Sequence, residues 1–310
     1  MTESEIDALA DSIGDIRVSE DIDPPRSLAE MFDSIEVDPD IAETPVPWAG
    51  PDSIAAIKVQ LSTFGYCVIP DALSSDEVDE SVRLMKDWQE TVPNHDQIHA
   101  AVNPHGIYKF HEAGHQEHAW FVRTRTGPRG VFEALWETKE LTVSFDGSCF
   151  IPKPFSKKDK CWTHSDQAPK TLGLACYQGF VALTSNRERT FVVYPRSHLV
   201  HHEYFVSKGA GDSSKNWQLI DPADLEGVGD RRKPLEVPAG ALVLWDSRAF
   251  HQNQYGAPGS EERRVQYVCY LPRAGKKNSA AMKKKRFADA KRSGSDDDDD
   301  DDDVVARMER

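Results

Sequence analysis

The sequence predicts a mainly β fold with flanking helices, and two observations carry that prediction. From Leu141 onward, short apolar segments recur between Gly, Pro and Asn turns, at residues 141–145, 172–183, 190–194, 235–237, 241–245 and 265–271. Several short strands without long helices between them argue for an antiparallel sandwich or barrel. Before Leu141 the apolar spacing is that of helices.

Taken in order, residues 1–45 are acidic and carry Pro24, Pro25, Pro39 and Pro45. So few apolar side chains cannot offset the entropy of ordering, so this arm is expected to stay mostly disordered, with a short helix at residues 27–35. The folded domain is placed at residues 46–274. Residues 51–64 place Ile54, Ile57 and Leu61 at helical spacing, and Gly65 ends that helix. Residues 65–70 read as a strand. Ser74 and Glu77 have the spacing of a capping box, and the helix they open presents Val78, Val82, Met85 and Trp88. Residues 93–127, rich in His, Gly and aromatics, read as irregular, and residues 131–141 as a helix. The polar stretch 207–219 reads as a loop. Residues 275–310, basic and then poly-Asp, are expected to be mostly disordered.

The net charge of −15 belongs to the ends. Residues 1–50 hold fourteen Asp and Glu against Arg17 and Arg26, and residues 296–303 are all Asp, while residues 276–292 are basic. The stretch between is nearly neutral, which excludes a strongly basic nucleic-acid-binding core. No apolar run is long enough for a membrane span, and the acidic N-terminus lacks the basic start of a secretory leader. A cytoplasmic location is expected, with Lys-Lys-Lys-Arg at 283–286 admitting the nucleus. Five cysteines without a CxxC pair read as isolated, buried thiols in a reducing compartment.

Of eleven histidines, only His164 has an Asp two residues on, in His164-Ser-Asp166. On an extended chain both side chains lie on one face, where a carboxylate and an imidazole can share a metal. The apolar segment 241–245 then leads to His251, just past its end. Twelve residues further, Arg263 opens a last strand, Arg-Arg-Val-Gln-Tyr-Val-Cys-Tyr. Each residue alone has a plain account: a loop histidine capped by an Asp, a surface histidine, a paired arginine. Their joint order is far more specific.

With its opening LSTFGYCVIPDALSSDEVDESV, its WTHSDQ and FVVYPRSHL segments and its closing GALVLWDSRAFHQN and RRVQYVCYLPR, the chain resembles the phytanoyl-CoA dioxygenase-like family of Fe(II)/2-oxoglutarate-dependent oxygenases over about residues 55–272. The resemblance implies a double-stranded β-helix, a jelly roll of the cupin kind preceded by helices. It implies His164, Asp166 and His251 as the catalytic iron ligands, and Arg263 as the residue that binds 2-oxoglutarate. Arg264 is the alternative on the opposite strand face, and Asn253 a further hydrogen-bond candidate for the cosubstrate. The chemistry agrees: two imidazoles and one carboxylate leave three positions of an octahedral ion open, and Arg offers a planar fork to a carboxylate. Asp166, where a halogenating relative would carry a small residue, points to hydroxylation of a small-molecule substrate with O₂, releasing succinate and CO₂. A non-catalytic jelly roll that recruits a basic protein partner through its acidic arms is the alternative.

Other motifs compete. His111-Glu-Ala-Gly-His115 matches the zincin signature, but Gly114 interrupts it and no helical apolar period surrounds it; these histidines and His118 are placed instead near the mouth of the site. His198, His201 and His202 read as a solvated helix start, where Arg196 stands at a position commonly held by Gly in the resembled family. Trp162, Tyr177, Trp245 and Phe250 read as pocket lining or core.

Overall fold

The computed structural model describes residues 26–102, 105–108, 110–154 and 160–274. The expectations for residues 1–25 and 275–310, the basic run at 283–286 among them, lie outside these.

The first helix, α1 (Leu28–Asp33), is capped on both sides: Ser27 Oγ accepts from Glu30 N, and the Glu30 carboxylate reaches back to Ser27 N. Its Leu28, Met31 and Phe32 are buried against Tyr204, Phe205 and Phe250. Further on, Glu43 accepts from Tyr66 Oη and Lys233 Nζ, each at 2.6 Å, and Val46 N donates to Val68 O. The expected domain start at residue 46 therefore falls inside packed chain. The short helix expected at residues 27–35 is present, and its three apolar residues suffice to dock it within an acidic segment.

Helix α2 (Ile54–Phe64) ends on Gly65, at φ 82°, where a Cβ would lie 2.5 Å from His198 Nδ1; only glycine fits. Strand β1 (Tyr66–Ile69) follows, then α3 (Ser75–Thr91), with the capping box at Ser74 and Glu77 in place. Residues 93–127 are not irregular. They form α4 (His95–Val102), a 3₁₀ turn at Ala113–His115, α5 (Glu117–Thr124) and the start of α6 (Thr126–Leu135). The inward face of α5 carries His118 and Arg123 beside Ala119 and Val122, so half of it is polar and no apolar period shows.

The strands are β2 (Leu141–Val143), β3 (Ser148–Ile151), β4 (His164–Ser165), β5 (Tyr177–Ala182), β6 (Phe191–Tyr194), β7 (Gln218–Leu219), β8 (Lys233–Pro234), β9 (Leu242–Asp246), β10 (Phe250–Asn253), β11 (Arg263–Val268) and β12 (Tyr270–Pro272). Helices α7 (Ser197–Ser207) and α8 (Pro222–Glu226) interrupt the series. Two five-stranded antiparallel sheets result, β1-β9-β5-β11-β3 and β7-β4-β10-β6-β8, with β12 and β2 as a separate pair. Residues 235–237 form no strand; Val237 makes only a bridge to Asn186.

Alternation along the strands sorts the core into layers. Val68, Phe180, Val243, Trp245 and Val265 from the first sheet meet Phe191 and Val193 from the second in a shared interior. On the other side of the first sheet, Cys67, Ile69, Val181, Leu242, Leu244 and Val268 pack against α2, α3, α5 and α6 through Ile57, Leu61, Met85, Val122 and Phe132. On the other side of the second, Tyr194 and Phe250 pack against α1 and α7. The molecule is thus a mixture of helices and antiparallel sheets, and among the described residues no helix is long and apolar enough to cross a membrane.

Candidate metal centre

His164 on β4 and His251 on β10 are paired directly across the ladder, so both side chains stand on the interior face. His251 follows the end of β9, as the sequence suggested, but it sits within a further strand, β10. That strand is hard to see because only Phe250 of Phe-His-Gln-Asn is apolar, although all four residues are buried.

Each imidazole has one nitrogen committed to backbone. His164 Nδ1 lies 3.1 Å from Trp162 O, and His251 Nδ1 lies 2.9 Å from Ala249 O. A carbonyl only accepts, so Nδ1 carries the proton and Nε2 is left with its lone pair. Both Nε2 atoms face Asp166, whose backbone leaves the ladder and donates to Ser247 O. Asp166 Oδ1 is 3.4 Å from His164 Nε2, and Oδ2 is 3.3 Å from His251 Nε2. The three ligand atoms lie within 4.8 Å of one another. Ligands at ~2.1 Å from one octahedral ion stand roughly 3 Å apart along an edge, so the spacing suits a metal.

The electrostatics agree. Burial lowers the His164 pKa and favours the neutral, metal-binding form of the ring. Burial alone would raise the Asp166 pKa, but contact with the two imidazoles outweighs it and holds the carboxyl below the usual range. Two imidazoles and one carboxylate are the donor set of a non-heme Fe(II) centre.

Arg263 reaches the same interior from the opposite sheet. It is fully buried; its Nε donates to Asn186 Oδ1 at 3.3 Å and its Nη1 contacts Cys149 Sγ at 3.3 Å. The guanidinium lies 5.4 Å from the Phe180 ring, and Nη2 has no partner among the described residues. Tyr267, two residues along the same face, accepts from Asn253 Nδ2 at 3.0 Å. Asn253 thereby stands between the metal-facing strand β10 and the Arg263 strand. Strand alternation puts Tyr267 on the Arg263 face, but its link to Asn253, from another strand, is not legible in the sequence. Arg264 points the other way, donates to Glu262 at 2.6 Å and Gln89 at 2.8 Å, and lies over Phe150.

His111 and Glu112 both adopt φ 47° ahead of the 3₁₀ turn, so the zincin-like sequence does not form the helix that motif needs. His118 is not at the mouth of the site: it is fully buried in the helical layer, with Nε2 at 2.9 Å from Ser148 Oγ. His198 and His201, expected to be solvated, are buried too, with Nε2 contacts to Ser62 O and to Ser165 Oγ and Gln167 O respectively. Arg196 before them holds φ 72°, the left-handed region in which glycine is commoner. Of the candidate pocket aromatics, Trp162 and Trp245 border the centre, while Tyr177 packs with Trp136 and Phe250 with Tyr204. Of the five cysteines, only Cys67 and Cys149 are buried, and Cys161 is exposed.

No family model matches the chain. The curated "Ava biosynthesis cluster protein O" of Aspergillus versicolor is 28% identical over 231 residues, which is 67% of this chain and 75% of that protein. Among solved structures, the GlcNAc Inducible Gene 2 protein from Candida albicans is similar with a TM-score of 0.54 at 13% identity, covering 68% of this chain and 62% of that one. HygX from Streptomyces hygroscopicus, solved with nickel and 2-oxoglutarate bound, gives 0.49 at 12% identity over 73% of this chain and 92% of its own. At these identities the likeness concerns the fold.

Proposed function

We propose that the protein is an Fe(II)- and 2-oxoglutarate-dependent dioxygenase of the phytanoyl-CoA dioxygenase-like kind, built on a double-stranded β-helix, that hydroxylates a small-molecule substrate. One observation carries this reading: a fully buried guanidinium with an unpartnered Nη2 shares an interior with two imidazoles and a carboxylate that converge on one point. An unpaired buried cation is costly, and a dicarboxylic cosubstrate would supply the missing anion. When bound at His164, Asp166 and His251, Fe(II) would supply O₂ activation, with electrons from the oxidative decarboxylation of 2-oxoglutarate to succinate and CO₂.

The chain's own residues have separate tasks. The Trp162 and Ala249 carbonyls fix the tautomer that turns both Nε2 lone pairs inward. Asp166 stays anionic and completes the donor set. Arg263 holds the remote carboxylate of the cosubstrate with a charge-assisted contact, steered by Asn186. Asn253 and Tyr267 brace the passage between. Phe191 and Trp245, both buried beside His251, keep water from the inner side.

The direct test is succinate formation from 2-oxoglutarate with Fe(II) and O₂. Wild type should form it, and Asp166→Ala should not. Equal succinate from both proteins would remove the metal role; none from either, together with no Fe(II) binding, would remove the reading.

A further inference from the structure

Four aromatic rings lie against the two metal-facing imidazoles. Phe191 and Trp245 are buried and close the inner side. Trp162, with its ring centre 5.0 Å from that of His164, and Trp217, at 5.3 Å, stand toward the outside. Trp217 is 42% exposed although it touches a metal-ligand candidate. Leu219, 54% exposed, is the cross-strand partner of His164, so its side chain shares the face of His164 and His251. The open flank of the centre is therefore apolar and solvent-facing.

The backbone holds Trp217 there against its preference. Its φ is 59°, a conformation that a bulky residue rarely adopts. The loop around it is fastened on both sides: Ala168 N donates to Asn216 Oδ1, Lys170 N to Ser213 O, and Gln218 Nε2 to Ser213 Oγ. A strained residue kept in place by its surroundings, with its ring beside the reacting centre, points to a use for that ring.

We propose that Trp217 and Leu219, with Trp162, form the wall that receives the substrate, and that the substrate presents to it an uncharged, flat aromatic or conjugated ring. The inference rests on the oxygenase reading. Trp162 is itself stacked between His105 and His164 and backs the wall, while the exposed Trp217 ring and Leu219 offer aromatic and aliphatic surface, which favours a ring over a charged group that would lose its hydration without a partner. Trp217 is accordingly a specificity-determining residue.

The test uses the full chain loaded with Mn(II) and 2-oxoglutarate, and 2-naphthol, uncharged at neutral pH, as the probe. Mn(II) should speed the relaxation of the naphthol protons relative to a Zn(II)-loaded control, which reports closeness to the metal. Trp217→Gly should weaken naphthol binding roughly three- to tenfold, the size of one ring contact, without lowering the melting temperature, since glycine adopts this φ freely. Trp217→Phe should retain most of the binding, and 2-naphthalenesulfonate should bind more weakly than naphthol. Unchanged naphthol relaxation in Trp217→Gly, equal affinity for the sulfonate, or binding lost in parallel with a fallen melting temperature would each overturn the proposal. Mn(II) whose effect on water-proton relaxation is the same with and without the protein does not bind; that outcome strikes the oxygenase reading itself and takes the inference with it.

Discussion

Arg263 and Arg264 are neighbours on one strand, both buried, and they live in opposite circumstances. Arg264, on the helix-side face, has its guanidinium taken up by Glu262, Gln89 and the Phe150 ring. The next polar residue on that face, Gln266, is equally satisfied: it accepts from Ser148 Oγ at 2.6 Å and donates to Gly147 O at 3.0 Å, and Ser148 in turn meets His118. On the interior face, Arg263 has an amide, a thiol and the Tyr267 hydroxyl for company, and its Nη2 has no partner among the described residues. Burial and residue type do not separate the two faces. What separates the two arginines is their partners: the protein supplies those of Arg264, whereas Arg263, turned toward the metal-ligand candidates, keeps an Nη2 with no partner among the described residues.

The largest effect should come from Arg263→Ala. Losing a buried, charge-assisted contact should raise the 2-oxoglutarate requirement by about 2–5 kcal/mol, roughly thirtyfold or more, read from succinate formation against cosubstrate concentration. Arg264→Ala should leave that requirement nearly unchanged. If the two exchange behaviour, the comparison inverts and the back face binds the cosubstrate.

The helix-side face should show itself in acid. Burial, reinforced by Arg123 and Arg264, pushes the His118 pKa down to about 3. An unfolded histidine protonates near 6.5, so below that pH the unfolded chain takes up a proton that the folded chain refuses. The neutral His118 thus stabilises fully above about pH 6.5, and the contribution falls away toward pH 3. Urea midpoints collected from pH 7 downward should decline less steeply in His118→Asn than in wild type, by up to ~1.4 kcal/mol per pH unit. Parallel profiles would mean that His118 titrates normally.

Arg264→Ala should in turn cost about 1–3 kcal/mol of stability by denaturant unfolding, because Gln89 and Glu262 lose their partner. Smallest of all, Asn253→Ala and Tyr267→Phe should each raise the 2-oxoglutarate requirement by about 1 kcal/mol, and the double variant by little more, since both remove one hydrogen bond. Full additivity would show that the two act separately.

How much of this the sequence disclosed follows the same division. The opposite strand faces read for Arg263 and Arg264 are those of the structure, where Val265 and Val268 lie in the interior and helix-side layers respectively. The His-x-Asp pair and the later His pointed to one centre because chemistry needs those types together. The capping box at Ser74 announced its helix, whereas the one at Ser27 was not read. Hidden were the places where polar residues face inward. Strand β10 buries His251, Gln252 and Asn253, and α5 buries His118 and Arg123, so neither shows an apolar period. Helix α1 was anticipated at residues 27–35, but the acidic chain around its three apolar residues masked that it docks on the fold. Gly65 was read as a helix end but not as the spacer that admits the His198 ring, a contact between residues far apart in the chain.

The register that sets His164 opposite His251 has a consequence for how such a centre can change. Their separation in space is fixed by one rung of a ladder, whereas their separation along the chain is a long excursion through β5, β6, α7, β7, α8, β8 and β9. Chain length between them is therefore a free variable. The segment around residues 207–217 can lengthen, shorten or acquire new side chains while the two imidazoles keep their distance, so long as β4 and β10 stay in phase. A slip of one residue would send one ring to the far side of the sheet. The scaffold is in this sense tolerant of insertion and intolerant of frame, which lets the substrate-facing loop diverge while the inner centre is inherited intact.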